Sequence, residues 1–321
     1  MLTVVLGLGS ALGYALHDFL MVRVVRVAAV WTAMCWSMGV GLVILLPLAL
    51  VLYGLPAGAA EWRATAFAMG GGLCEAAALA CLLRGLVSGN LSIVTPLASL
   101  AGGVVAVIAV AGGESLSTPA IIGLPLAVAG GLLASIERLP AEELFGPDEA
   151  EKVGEPAAGV ATVVSPPVAP PAVAGAQSAA RVRRARGTSG AGWALLSSAL
   201  FAVVILLLAQ ATALPAVAIA AYGRLGTMLV LVPVALLLAG LRLPRRLAGR
   251  CGIAGVFDAT AFPLFAAAIV IGPLAVASVV IAQGGTMAVL LGYLVLHERL
   301  SRLQYVGVAC ACVACTLLAL G

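Results

Sequence analysis

Ten apolar segments follow one another along this 321-residue chain, and each is long enough to cross a bilayer as a helix. The hydrocarbon core of a membrane is about 30 Å thick and takes ~20 apolar residues in helical form. The segments cover residues 2–22, 31–53, 64–87, 90–111, 118–137, 191–211, 216–240, 251–270, 273–296 and 302–320. They lack the polar–apolar alternation that marks the strands of a membrane barrel. The sequence therefore predicts an all-α integral membrane protein with ten transmembrane helices.

The composition of the chain agrees with that class. Hydrophobic residues make up 63% of the sequence and charged residues only 9%, whereas a soluble domain is about 25% charged. Residues 139–190 are different, because six acidic residues are followed there by "SPPVAPPAVAGAQSAA" and then by "RVRRAR". So much proline and charge predicts a disordered linker. The predicted domains are therefore a first five-helix unit at 1–138, the linker at 139–190 and a second five-helix unit at 191–321.

The two five-helix units share a sequence pattern. "ILLPLALVL" at 44–52 matches "VLVPVALLL" at 230–238, and "GGESLST", which contains Glu114, matches "LHERLSR", which contains Glu298. Because five is odd, the second unit must enter the membrane in the opposite direction to the first. The pattern predicts an inverted-topology repeat, with a substrate site near the midplane between the two units.

Arginines are distributed unequally between the two sides of the predicted membrane. One side carries Arg23, Arg26, Arg84, Arg242, Arg245, Arg246, Arg250, Arg299 and Arg302. These nine arginines do not include those of the linker, which lies on the same side, and the other side carries only Arg63. Because cytoplasmic loops are enriched in Lys and Arg, we expect the first side to be cytoplasmic. Both termini are then extracytoplasmic, and the linker is cytoplasmic. The expected location is the plasma (inner) membrane.

Three ionisable residues lie deep inside predicted spans. Glu75 and Asp258 occupy matching positions in the repeat, and Arg224 stands where the first unit has Met38. A charge at the bilayer centre costs at least about 2.5 kcal/mol, so such residues should face the interior of the bundle or a water-filled cavity. Two interpretations are open. Arg224 and a carboxylate form a structural ion pair, or one acid binds a proton or a cationic group while Arg224 meets an anionic group of a substrate.

Other polar and aromatic residues are weaker candidates for the same site. His17 and Asp18 lie about one turn before Arg23, where they either join the coupling site or reach toward the cytoplasmic interface. Residues that could line a cavity, or simply pack between helices, are Tyr14, Trp36, Tyr222 and Gln283.

The repeated Glu motif is expected to start helices. Ser301 and Gln304 have the spacing of a capping box, and Thr118 precedes a proline that suits the first helical position. We expect Glu114 and Glu298 to order the loops before these helices, close to the positive helix ends.

The sequence predicts no enzyme, metal site or cofactor. "HERLS" lacks the second His that a zinc protease motif requires, since Ser301 stands there. Neither a Walker A loop nor a G-x-S-x-G motif is present in the sequence. Cys310, Cys312 and Cys315 do not share one helix face, which favours small-residue packing over metal binding.

The chain resembles a known family in "GNLSIVTPLASLAGGVVAVIAVAGGESLSTPAIIG" at 89–123 and "GPLAVASVVIAQGGTMAVLLGYLVLHERLSRLQYVG" at 272–307. These segments are similar to the drug/metabolite transporter superfamily in its EamA-like form of two five-helix repeats. That superfamily moves amino acids, nucleotide sugars, drugs and other metabolites. Two features depart from common members: the extracytoplasmic termini and the long charged linker. The expected extracytoplasmic N-terminus, the basic first loop and the acid in "GLCEAAALACLLRGLVSGNLSIVTPLASL" look like the NIPA-type magnesium transporter branch.

The resemblance implies a secondary transporter that moves a small metabolite or drug-like solute by alternating access, coupled to protons or to membrane potential. A magnesium or divalent-cation permease is the first alternative. Two acids do not exclude it, because magnesium keeps several waters and uses only one or two carboxylates. A non-transporting membrane scaffold whose linker binds a partner is the second. Expected partners are the lipid bilayer, a small-molecule substrate and protons. A homodimer is compatible with the sequence, and no nucleic acid is expected.

Overall fold

Eleven α-helices form the part of the chain that the computed structural model describes, which is residues 1–25, 27–88, 94, 97–136, 175–296 and 300–321. The helices are α1 Leu2–Val25, α2 Val30–Tyr53, α3 Ala59–Ser88, α4 Ala101–Ala111, α5 Thr118–Ile136, α6 Gly175–Ala209, α7 Ala216–Leu238, α8 Arg245–Ile271, α9 Leu274–Ile281, α10 Gly284–Leu296 and α11 Arg302–Leu320. No strand occurs in these residues. The all-helical class predicted from the sequence is confirmed.

Nine segments of the described chain are long and apolar enough to cross a membrane. Helices α9 and α10 together make one of them, Leu274–Val295, with a break between the two helices. Nine of the ten predicted spans thus have a counterpart. The remaining one, 90–111, includes residues outside the described part of the chain, and its described helix α4 has 11 residues. These features fit a multi-pass integral membrane protein.

Three helices begin earlier than the hydrophobic pattern predicts. Helix α3 starts at Ala59 and α8 at Arg245, because helices continue past the hydrocarbon core into polar sequence. At the start of α3 the Glu61 carboxylate accepts a hydrogen bond from the Ala57 backbone N–H at 2.8 Å. Such polar turns contribute nothing to a hydrophobic count.

The third early start concerns the predicted linker. Residues 137–174 lie outside the described residues, so most of the predicted disorder over 139–190 is not tested. From Gly175 onward, however, the chain is helical as the first part of α6. This end of the predicted linker is therefore corrected to helix. Alanine and arginine, which are frequent there, are both strong helix formers, and the apolar span that follows provides a helix for them to extend.

The helices pack in pairs that connect the two units. Helix α3 packs along α6 and α1 packs along α8, while α3 contacts α7 and α2 contacts α8. Further pairs are α2 with α7, α5 with α11 and α4 with α9. Glycines allow the closest approaches, since a methyl group on Gly72 would collide with the backbone of Gly223, and one on Gly226 would collide with that of Met69. Small residues commonly form such contacts between membrane helices.

The helix starts follow the repeated Glu motif only in part. Ser301 forms the predicted capping box, because its Oγ accepts from the Gln304 backbone N–H at 3.3 Å and Gln304 Oε1 accepts from the Ser301 N–H at 3.0 Å. In the first unit the cap is Ser117 and not Thr118, since Ser117 Oγ accepts from the Ala120 N–H at 3.4 Å. Thr118 is already the first helical residue.

Glu114 does not serve the helix that follows it. Its carboxylate oxygens accept hydrogen bonds from the backbone N–H groups of Leu274 at 3.0 Å and Ala275 at 3.1 Å, at the start of α9. A carboxylate is well suited to that position, where helix N–H groups lack partners and the helix dipole is positive. Glu114 thus caps α9, in the other unit of the chain, and not α5, which follows it in sequence. Glu298 lies outside the described residues.

Candidate functional site

The middle of the bundle brings together one residue from each of α3, α7 and α8. Glu75, Arg224 and Asp258 all lie well inside their helices. Gly72 packs against the α7 backbone at Gly223, and Glu75 follows Gly72 by about one turn. The close contact of α3 with α7 therefore presents the Glu75 carboxylate to Arg224.

Arg224 is bound by both carboxylates. Its Nε and Nη2 donate to Asp258 Oδ2 and Oδ1 at 2.8 and 2.5 Å, and its Nη1 donates to Glu75 Oε2 at 2.5 Å. Arg224 and Asp258 are 0% exposed and Glu75 is 8% exposed. The fork of the guanidinium suits this paired binding. Charges this deeply buried persist only when they are paired and hydrogen-bonded. We name these three residues the central triad.

Four further residues complete the surroundings of the central triad. The Thr227 hydroxyl donates to Glu75 Oε2 at 2.7 Å, and the Phe262 ring lies beneath the guanidinium, 4.2 Å from Arg224 Cζ to the ring centroid. Gly41 leaves room for Asp258, because a Cβ on Gly41 would lie 2.7 Å from Asp258 Oδ2. Tyr14 of α1 interacts electrostatically with all three members of the triad.

The central triad carries an excess negative charge when both acids are ionised, because one guanidinium faces two carboxylates. The two acids are not held equally. Asp258 has two hydrogen bonds to Arg224, whereas Glu75 has one to Arg224 and one to Thr227. Glu75 is also the more exposed of the pair. It is therefore the acid whose bond to Arg224 is more easily exchanged.

His17 lies near the central triad, whereas its neighbour Asp18 is exposed. His17 is 5% exposed and contacts Ser37 Oγ through Nε2 at 3.3 Å. Its Nδ1 lies 3.0 Å from Asp18 Oδ1, and the Asp18 side chain is 74% exposed. The structure thus places the predicted His17 near the triad and directs Asp18 outward.

The weaker candidates separate into different places. Of the four predicted cavity residues, only Tyr14 interacts with the central triad. Trp36 is exposed and donates its indole N–H to the Leu241 carbonyl at 2.9 Å. Tyr222 packs in the largest apolar core cluster.

Gln283 lies at the break between α9 and α10, where its side-chain amide donates to the Ala127 carbonyl at 3.0 Å. There it lines a cavity of about 10 Å³ together with Ser99 and small apolar residues. That volume is about the room that one water molecule needs. None of the triad residues lines this cavity, so it is separate from the central triad. It is also too small for an organic solute.

Thr227, Phe262 and Gly41 are site residues that the sequence analysis missed. A usable signal existed for two of them, because Thr227 follows Arg224 by three residues and Phe262 follows Asp258 by four. Residues at these spacings share one helix face. Gly41 carries no comparable signal, since its role depends on how α2 meets α8.

Within the described residues, no group of three or more His, Cys, Asp or Glu side chains is placed to hold a metal ion. Cys310, Cys312 and Cys315 are free thiols, and their exposure differs along α11. Arg224 already occupies the space between the Glu75 and Asp258 carboxylates.

Comparison with known proteins identifies the second unit. Residues 188–320 match the EamA-like transporter family. A solved structure titled "Crystal structure of protein" has the same fold, with a TM-score of 0.71 and 12% sequence identity over 99% of this chain and 97% of that chain. No curated protein matches the chain. The described residues thus fit an all-helical membrane protein, and residues 188–320 are similar to the EamA-like transporter family.

Proposed function

We propose that the protein is a secondary transporter that moves a small metabolite or drug-like solute by alternating access, coupled to protons or to membrane potential. The observation that carries this proposal is the central triad, a buried group of three charged residues that joins α3 of the first unit to α7 and α8 of the second. Ionisable residues inside membrane spans are rare and usually mark substrate or proton pathways. The EamA-like match of residues 188–320 supports the same class.

The triad suggests how coupling would work. Protonation of Glu75 would remove the excess negative charge and weaken the single bond from Glu75 to Arg224. Arg224 Nη1 and the Thr227 hydroxyl would then be free to donate to an anionic group of the solute, while Asp258 keeps its two bonds to Arg224. Loss of the proton would restore the Glu75 bond and favour release of the solute. The deprotonated Glu75 carboxylate and the solute would therefore compete for the same arginine nitrogen, so proton and solute would bind together.

We infer that the two units form an inverted repeat about the triad. Two helix contacts support this, because α3 on α6 has its repeat equivalent in α1 on α8, and α3 on α7 has its equivalent in α8 on α2. Glu75 and Asp258 are themselves repeat mates and meet the same arginine. Such repeats rock against each other around a fixed central site in many transporters. We further propose a plasma-membrane location with both termini extracytoplasmic, from the arginine distribution.

Magnesium transport is the second candidate, and the geometry disfavours it at this site. A divalent cation between Glu75 and Asp258 would have to displace the Arg224 guanidinium, which bonds to both carboxylates. A scaffold role gives no reason for three buried charged residues, because charges inside membrane spans are costly and are usually kept for a function.

Solid-supported-membrane electrophysiology on proteoliposomes tests the proposal. The protein is challenged with a panel of organic solutes and, separately, with divalent cations. We expect currents for one class of organic solute, loss of these currents in Glu75→Gln, and retention in the control Glu61→Gln on the same helix. Currents only for divalent cations would favour the permease, and the absence of both current and solute-driven proton uptake for every solute would reject transport.

A further inference from the structure

His17 and Asp18 form a dyad that links the central triad to the exterior of the bundle. The two side chains are hydrogen-bonded, with His17 Nδ1 and Asp18 Oδ1 3.0 Å apart. His17 is buried, whereas the Asp18 carboxylate is 74% exposed at the side chain. A charged carboxylate is far more stable in water than in hydrocarbon. The dyad therefore has one member at the surface of the bundle and one inside it.

Two independent packing contacts place His17 close to Asp258. On α1 and α8, Gly13 lies against Ala261 and the Phe257 carbonyl, and His17 is one turn further along α1. On α2, Ser37 contacts His17 and Gly41 contacts Asp258. Ser37 and Gly41 are four residues apart, or about 6 Å along the helix axis. Both routes bring the imidazole to the level of the triad carboxylate.

Among the described residues, few charged groups act on His17. They are Asp18, Asp258 and Arg224. Helix α2 contributes the neutral Ser37, and the described residues of α9 and α10, which also pack on α1, include no acid, histidine, lysine or arginine. Exposed arginines occur at the nearby ends of α8 and α11, at Arg245, Arg246, Arg250 and Arg302.

We propose that His17 binds a proton from water and that its positive charge then stabilises the central triad. Asp18 takes a proton from a hydronium ion, which becomes water, and passes that proton to Nδ1 of His17; the Asp18 O–H bond breaks, the N–H bond forms, and Asp18 regains its negative charge. The imidazolium then balances the excess negative charge of the triad through Asp258. Histidine suits this role because its charge changes near neutral pH. The contribution to coupling rests on the proposed transport function, whereas proton binding at His17 does not.

Histidine NMR tests the proposal directly, because the chain has only two histidines. In a His297→Gln background, the protein carries one histidine, His17, and can be labelled with ¹³C,¹⁵N-histidine in nanodiscs. We expect the His17 ring to gain a proton between about pH 5 and pH 8. Asp258→Asn should lower the titration midpoint by about 0.5 to 1 pH unit, because it removes a nearby negative charge.

A second variant and a control keep the test decisive if Asp258→Asn does not fold. Asp18→Asn, at an exposed position, should also lower the midpoint, whereas Glu61→Gln should leave it unchanged. A ring that does not titrate, or that shifts equally in the control, would overturn the proposal. Solute-driven currents together with a His17 ring that does not titrate would reject this inference alone and leave the proposed transport standing. A titrating, Asp258-coupled His17 without any such current supports proton binding and rejects the proposed transport.

Discussion

At the scale of single residues, the two acids of the central triad are unequal, and this inequality can be measured. Asp258 is bound through two hydrogen bonds to Arg224 and Glu75 through one. Their positions in the repeat would suggest equal roles. The difference arises because Arg224 belongs to only one unit. Its Nε and Nη2 face Asp258, whereas only Nη1 faces Glu75.

We therefore predict that Asp258→Asn destabilises the protein more than Glu75→Gln. The first change leaves a buried guanidinium with only its single bond to Glu75, and breaking a buried ion pair costs about 3 to 5 kcal/mol. The second leaves the two bonds to Asp258 intact and removes an excess charge, so it should cost less than about 1 kcal/mol. Thermal unfolding in detergent measures both variants, with Arg224→Met, Asp258→Asn and Glu75→Gln combined as a rescue control that leaves no unpaired charge in the triad. Equal loss of stability in both single variants would contradict this ranking.

The residue scale also shows the limit of sequence reasoning. Glu75, Asp258 and Arg224 stood out because charged residues are conspicuous among apolar ones, and the structure joins them. Whether they pair or face a cavity could not be read from the sequence, since pairing depends on the distance between helices. The same limit explains the prediction for Trp36, which has no feature in the sequence that distinguishes a surface position from a cavity.

At the scale of helices, close packing depends on glycines at particular contacts. Gly72 lies against the Gly223 backbone, whereas Gly252 on α8 has open space where a side chain would go. Both residues are inside helices. The effect of adding a methyl group should therefore have opposite signs at the two positions.

We predict that Gly72→Ala lowers stability by at least ~2 kcal/mol, because backbone must move to admit the methyl group. The matched change Gly252→Ala should raise stability by about 0.5 to 1 kcal/mol, because alanine is the better helix former. Melting temperatures of the two variants in the same detergent provide the measurement. A stabilising Gly72→Ala would mean that α3 and α7 are further apart than described.

Glu114 provides a second test at this scale. Its carboxylate accepts two N–H groups of α9, and a charged cap at a helix start is typically worth about 1 kcal/mol. We predict that Glu114→Gln costs about that much and increases hydrogen exchange at the start of α9, not at the start of α5. Ser301→Ala is the control, because Ser301 caps its own helix. Faster exchange confined to α5 in Glu114→Gln would show that the contact with α9 is unimportant.

Local sequence predicted where helices form far better than it predicted which distant residues they contact. The capping box at Ser301 was predictable because its partners lie within one turn. The acceptor role of Glu114 was not, because Leu274 is 160 residues away in sequence. Helix starts in polar sequence, such as Arg245, were missed because hydrophobicity marks the membrane and not the helix.

At the scale of the whole molecule, arginine distribution predicts the orientation. We predict that both termini are extracytoplasmic, since nine arginines fall on the opposite side and only Arg63 on theirs. Reporter fusions at Gly321 and at the predicted linker measure this, with one reporter active only in the cytoplasm and one only outside. A Gly321 fusion active solely in the cytoplasm would reverse the assignment and the proposed direction of the inverted repeat.

The two units should remain one particle when the chain between them is cut. Contacts of α3 with α6, α1 with α8 and α5 with α11 join the units along most of their length, and the central triad adds ion pairs across the same boundary. None of these contacts involves residues 137–174.

We therefore predict that a protease site inserted near residue 160 can be cleaved without separating the two units. Size-exclusion chromatography in detergent should show both fragments in one peak at the elution volume of the uncut protein, and solute-driven currents should be unchanged. Uncut protein carrying the same insertion is the control, and separation of the fragments after cleavage would show that the covalent connection, not helix packing, holds the units together.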